Sequence, residues 1–255
     1  MAFSSVGTNY GAPPIGEIFS ISPETTERPK DVLEEIAETA RAIDTEGHSR
    51  TEVLQEVGQL MVSSMVGIQL EVNPASREDI LEAAGKSQKV QAFIKSMVDP
   101  LLSEKESWHM LRNGFLAEVA VSVFLERSGF KVLEPSQKDD MKGKIDRWAV
   151  DTAENKVYAI QIKASKDLIG AKLSKVDQNK ASLGVMSGYI SAVQTMIKYV
   201  SRRQEFANKD VEFLIIELGA GEINEDAAFN QGTGVLTTEA DNDLNDQLYE
   251  KVWNE

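Results

Sequence analysis

The stretch Val211-Glu-Phe-Leu-Ile-Ile-Glu-Leu218 constrains the fold most, because all but its two glutamates are apolar. A short, β-branched apolar run followed by Gly219 predicts a buried strand. Upstream, Val157-Tyr-Ala-Ile-Gln-Ile-Lys163 alternates with a period of two and predicts another strand. Phe130–Leu133 and Lys144–Val150 predict two more. Trp108 to about Ser128 carries Leu111, Phe115, Val119, Val123 and Phe124 at helical spacing, with Gly129 as C-cap. Met186 to about Phe206 carries Ile190, Val193, Ile197 and Val200 in the same way. The expected order over 108–218 is therefore α-β-β-β-α-β, an α/β fold. Residues 164–185 are polar and lysine-rich and read as a loop.

The flanks read differently. Residues 1–30 hold Gly, Pro, Ser and Thr without periodicity and predict a flexible arm. Residues 31–100 read as a helical region. Leu33, Ile36, Ala37, Ala40 and Ile43 form one stripe, and Val53, Val57, Leu60, Met61 and Met65 a second. Ser76-Arg-Glu-Asp79 resembles a capping box opening a third helix, interrupted at Gly85 and ended by Asp99-Pro100. Residues 219–255 form an acidic C-terminal segment with one expected helix, Asp243–Trp253. It reads as a solvated tail, with a restraint folded over a basic face as the alternative.

Composition excludes several chemistries. There is no Cys, so disulfides, thiolate zinc sites and cysteine nucleophiles are ruled out, and a reducing, cytoplasmic setting is expected. Two His cannot build a multi-histidine metal site. No apolar run reaches the ~18–20 residues of a membrane helix, and the start lacks a secretory pattern. The net charge of −14 argues against nucleic acid until it is resolved along the chain. Residues 1–100 carry −8, residues 101–210 carry +4 and residues 211–255 carry −10. The centre is thus mildly basic between acidic flanks.

That centre holds a chemical constellation. Glu118 lies in the 108–128 helix, and Asp146 lies early in the second strand. Gln161 and Lys163 lie two apart in the third strand, so both leave one face of the sheet. Magnesium takes oxygen ligands, usually one or two carboxylates plus water and substrate. In phosphodiester hydrolysis such a cation binds a phosphate oxygen and activates water, and a nearby Lys stabilises developing charge. Asp146, the Gln161 side-chain oxygen and the Ile162 backbone carbonyl supply a ligand set, with Lys163 beside it and Glu118 reaching in from the helix.

Gly114-Phe-Leu-Ala-Glu118, Gly129-Phe-Lys-Val132, Gly143-Lys-Ile-Asp146 and Ile160-Gln-Ile-Lys163 together resemble the PD-(D/E)XK nuclease superfamily. The similarity is to its Gln-x-Lys branch, that of Mrr-type restriction endonuclease domains, and covers about 108–218. It implies a restriction-endonuclease-like core with a helical N-terminal region. It further implies Asp146 as main metal ligand, Gln161 in the usual acidic place, Lys163 as catalytic lysine and Glu118 as helix carboxylate. The expected function is a magnesium-dependent endonuclease acting on DNA, with manganese as a substitute. Lys166, Lys172, Lys175 and Lys180 follow the third strand and could track a phosphate backbone or face solvent. Trp148 could stack a base, with core packing as its simpler role; His109 and His48 read as a helix-face residue and a solvated one. A neutral Gln161 and acidic flanks motivate the alternative, a catalytically inactive nuclease-fold module that binds nucleic acid or assembles, with the helical region joining copies into an oligomer. Gly85-Lys-Ser87 lacks the upstream glycine of a phosphate loop.

Overall fold

The computed structural model describes residues 49–104, 106–136, 138–154, 156–176, 190–203, 210–221 and 227–253. The predicted arm, the 31–48 stripe and His48 lie outside them. Among the described residues the chain is mixed α/β. Helices α1 (Arg50–Leu70), α2 (Arg77–Val98) and α3 (Trp108–Arg127) precede strands β1 (Lys131–Leu133), β2 (Arg147–Asp151), β3 (Lys156–Ser165) and β4 (Ala171–Lys175). Helix α4 (Ile190–Val200), strand β5 (Val211–Gly219) and helix α5 (Thr238–Leu248) complete the order. The sheet order is β1-β2-β3-β5-β4. Only β3 and β5 run parallel; the other pairs are antiparallel.

Local chemistry sets the helix ends. Ser49 and Glu52 cap α1 reciprocally, with Ser49 N–H donating to Glu52 Oε2 at 2.7 Å. Ser76 accepts from Asp79 N–H at 3.2 Å to start α2, and Ser107 caps α3. Gly129, at φ +92°, turns the chain out of α3 into β1. Helix α2 runs unbroken through Gly85, contrary to the expected interruption. A Cβ there would meet nothing within 4 Å, so the glycine costs helix propensity but forces no break.

The sheet is covered on both faces. Tyr158, Ile160, Ile162, Leu214, Ile216 and Leu218 point to the face packed by α3, behind which lie α1 and α2. Val157, Ala159, Trp148, Phe213 and Ile215 point to the other face and meet Met196 and Val200 of α4. Trp148 is core, only 3% exposed. The double cover is why 211–218 reads as continuously apolar.

Several boundaries differ from expectation, and α5 is one of them, beginning at Thr238 and not at the expected Asp243. Strand β2 begins at Arg147, because a π-helical turn at Asp139–Gly143 precedes it and Lys144 is left-handed (φ 58°). Strand β4 occupies part of the expected loop. Of Ala-Lys-Leu-Ser-Lys only Leu173 is buried, so this edge strand carries no apolar run to read. Helix α4 ends at Val200, and its expected first residues lie outside the described ones.

The C-terminal segment also corrects its reading. Ala240, Leu244 and Leu248 of α5, and Val252 in the following π-helical turn, are core residues. Gln247 satisfies Leu173 N–H (2.9 Å) and the Ala171 carbonyl (3.0 Å), while Lys251 Nζ donates to the Leu173 carbonyl at 2.6 Å. The segment closes the outer edge of β4, which would otherwise expose unpaired backbone groups. It is therefore not a solvated tail but part of the folded core. No helix among the described residues is long and apolar enough to cross a membrane.

Candidate functional site

The site forms where β2 stops and β3 continues. Arg147 pairs with Ile160, and Asp146 N–H still donates to the Ile160 carbonyl at 2.8 Å. Beyond that point β3 has lost its β2 neighbour but keeps β5 through Ser165. The Asp146 carboxylate fills the next rung, accepting from Ile162 N–H at 2.6 Å. The Ile162 carbonyl leaves the same edge of the strand. Gln161 is 2% exposed, and its Oε1 has no hydrogen-bond partner among the described residues. Lys163 lies two residues on, on the face of Gln161.

Arg147, which the motif reading missed, ties helix to strand. It is buried, with Nε donating to Ser122 Oγ at 3.0 Å and a terminal nitrogen 3.0 Å from Glu118 Oε2. A further N–H donates to the Asp146 carbonyl. Glu118 and Ser122 are one helical turn apart, so α3 presents both to one guanidinium. The sequence held only a weak signal for it, a charged residue directly before the apolar Trp148-Ala-Val150 that needs a partner if buried.

Asp140, on the π-helical turn, was also missed. It accepts from Gln55 Nε2 of α1. Its neighbour Asp139 is buried, accepting from Tyr199 Oη at 2.8 Å, from Arg203 and from Ser136. Only the turn brings Asp140 to Asp146, and no spacing rule announces it.

The site is electrostatically loaded. Burial pushes the Glu118 carboxyl well above the usual carboxylate range; Arg147 opposes this, while Asp146 and Asp140 add to it. Burial pushes Asp146 up to about 6, against the pull of Lys163 and the Ile162 N–H. Asp140 is raised by burial, countered by Gln55. A carboxyl raised in the fold keeps a proton that the unfolded chain has lost, so unfolding free energy falls as pH rises. For Asp146 the window runs from its ordinary 3.8 to about 6. Glu106, held down to about 2 by Ser103 and then Arg50, acts oppositely but only below its ordinary 4.5. We therefore expect the metal-free chain to be less stable at pH 7 than at pH 5 in urea unfolding. Asp146→Asn should flatten the slope, and an unchanged slope would contradict the assignment.

The lysines do not share one face. Lys172 lies across β5 from Lys163 with Glu217 between them, 3.6 Å from Lys172 Nζ. Lys175 projects from the opposite face and meets Glu212 at 3.1 Å. Lys166 is exposed just past β3, and Lys180 lies outside the described residues. His109 stays on its helix face, 3.3 Å from Asn113 and 3.4 Å from Arg112.

Among the described residues, no group of three or more His, Asp or Glu is arranged to hold a metal ion. A cation here must therefore draw on neutral oxygens. Asp146, the orphaned Gln161 Oε1 and the Ile162 carbonyl match that need, since magnesium requires few carboxylates. In comparisons with known proteins, the chain matches no family model, no curated protein and no solved structure.

Proposed function

We propose that the chain is a magnesium-dependent nuclease that hydrolyses phosphodiester bonds of DNA, built on a restriction-endonuclease-like core. The observation that carries the reading is the buried, unpartnered Gln161 Oε1 beside Asp146 and Lys163, at the gap where β2 ends. A buried amide oxygen without a donor costs about 1–3 kcal/mol, which a bound ligand would recover. The element order α3-β1-β2-β3-α4-β5, with β4 as an added edge strand, supports the core assignment.

Asp146, Gln161 and Ile162 would hold the cation. Bound there, magnesium supplies Lewis-acid polarisation of a phosphate oxygen and a lowered pKa for the attacking water. Lys163 contributes a positive charge next to the scissile phosphate, orienting the nucleophilic water and stabilising charge that develops on the phosphoryl oxygens. Arg147 fixes the backbone carbonyl of Asp146 and holds Glu118 toward the site. The Ile162 N–H fixes the Asp146 carboxylate, so the first ligand is preorganised.

The second reading is a nuclease-fold module that binds nucleic acid or assembles without hydrolysis. Its assembly form is favoured by the ion pairs of Lys172 and Lys175, which tie up with carboxylates the charge a phosphate backbone would use. Calorimetry with magnesium and manganese, run beside a plasmid-nicking assay, separates the two. We expect wild type to bind manganese and nick, and Asp146→Ala to do neither. Nicking by Asp146→Ala at the wild-type rate would overturn the site. Wild-type cation binding without nicking would favour the module.

A further inference from the structure

Two of the lysines expected to track a phosphate backbone are already engaged, Lys172 with Glu217 at 3.6 Å and Lys175 with Glu212 at 3.1 Å. The π-helical turn before β2 carries cations that are not. Lys138, Lys142 and Lys144 are exposed and make no ion pair among the described residues. The acids of the same turn are held by protein donors. Asp139 is 3% exposed and accepts from Tyr199 Oη at 2.8 Å, Ser136 Oγ at 2.7 Å, Ser136 N–H at 3.0 Å and the Arg203 guanidinium. Asp140 accepts from Gln55 Nε2 of α1. The outer surface of the turn is therefore cationic.

The turn is also a fixed platform. Lys144 N–H donates to the Asp140 carbonyl at 3.1 Å, and Ile145 N–H to the Asp139 carbonyl at 3.3 Å. Tyr199 packs against it, so that a Cβ on Gly143 would stand 2.7 Å from the ring. Charges on a rigid support lose less freedom when they bind. Lys144 adds a separate observation. Among the described residues it is the one non-glycine residue at positive φ, +58°. A side chain in this left-handed region meets steric resistance that glycine avoids. Stability alone favours glycine there, and what lysine adds is its charge.

The chain itself fixes where these charges lie. Two residues span at most about 7 Å, so the Lys144 backbone is within that distance of Asp146. Asp146 N–H donates to the Ile160 carbonyl at 2.8 Å, one residue before Gln161. The turn thus borders the gap from the β2 side, while Lys163 and the exposed Lys166 border it from β3. A strand crossing the gap would meet cations on both sides. Screening confines an exposed charge to about 8 Å at physiological salt. This cluster, and not the net charge of −14, therefore governs contact with a phosphate.

We propose that Lys142 and Lys144 bind the phosphate backbone of DNA on the β2 side of the site, with Lys138 extending the track. The proposal rests on the nucleic-acid reading above and names the surface that holds the substrate.

The test follows binding of a labelled DNA duplex to the full chain by anisotropy over a salt series, without divalent metal so that no strand is cut. Each lysine–phosphate contact adds about 0.9 to the slope of log affinity against log salt. Lys142→Ala combined with Lys144→Gly should weaken binding at low salt and flatten the slope by about 2. The fall in affinity between about 50 and about 200 mM salt then becomes roughly tenfold smaller. The unfolding midpoint of this variant should hold or rise, since glycine accepts the left-handed geometry. Lys172→Ala combined with Lys175→Ala should keep the wild-type slope, because those charges are already paired. A wild-type slope in the Lys142 and Lys144 variant overturns the proposal, and nicking that Asp146→Ala abolishes would still uphold the site. Equal flattening by both double variants assigns binding to diffuse charge and also overturns it. If wild type binds no DNA at any salt, the nucleic-acid reading fails and the proposed surface with it.

Discussion

Replacing Arg147 by methionine lowers the stability of the metal-free chain by about 3 kcal/mol at pH 8, a fall of roughly 6–12 °C in unfolding midpoint. The reason is the number of groups that lose their partner at once. Glu118, Ser122 Oγ and the Asp146 carbonyl all depend on one guanidinium that is 3% exposed. Breaking a buried pair typically costs about 3–5 kcal/mol, and the lower end applies because Glu118 keeps 25% of its side-chain surface in water. The loss should depend on pH. Burial pushes the Glu118 carboxyl up to about 8 while Arg147 holds it down, so without the guanidinium it rises further and the loss grows as pH climbs through that range. The deficit at pH 5 should therefore be smaller than at pH 8. Glu118→Gln added to Arg147→Met should recover part of the pH 8 deficit. Urea unfolding of the four proteins at both pH values reads the cycle; equal losses at pH 5 and pH 8 would show that Arg147 acts through packing and not through Glu118.

Lys163→Ala should lower the nicking rate by about 10²–10³-fold, the scale seen when one group aimed at developing charge is removed. Cation affinity should move the other way. Lys163 is a positive charge close enough to pull the Asp146 carboxyl down. Removing it leaves the carboxylates less neutralised, so manganese should bind at least as tightly as in wild type. This opposition between rate and affinity separates a catalytic lysine from one that merely supports the site, whose loss would weaken both. Lys163 lies beyond the end of β2, where β3 is held by β5 alone. Alanine at this position disturbs little packing, and the unfolding midpoint serves as the control.

Much of the fold is legible where one face or both are apolar. Strands β3 and β5 follow from alternation and from a continuous run, and α1, α2 and α3 follow from apolar stripes, α2 also from its Ser76 cap. Strand β4 is not legible, because an edge strand with one buried leucine leaves no pattern. Acidic α5 misleads for a related reason. Its charged surface dominates the composition, while three residues of apolar spacing, Ala240, Leu244 and Leu248, anchor it in the core.

The site divides in the same way. Residues carried by one strand keep a fixed relation, so Gln161 and Lys163 share a face by the period of two alone. Asp146 and Glu118 join them only through the order of elements, which the motifs imply. Arg147 and Asp140 belong to the tertiary structure. Arg147 matters because α3 crosses β2 where Glu118 and Ser122 face it, at 3.0 Å each. Asp140 sits on a π-helical turn pinned through Asp139 and Tyr199, and its charge acts on Asp146. Sequence by itself determined the periodic elements and the residues they carry, because hydrophobic spacing is a local property. Which charges meet across those elements was decided only by the tertiary structure, because a Coulomb interaction depends on distance in space and not on separation along the chain.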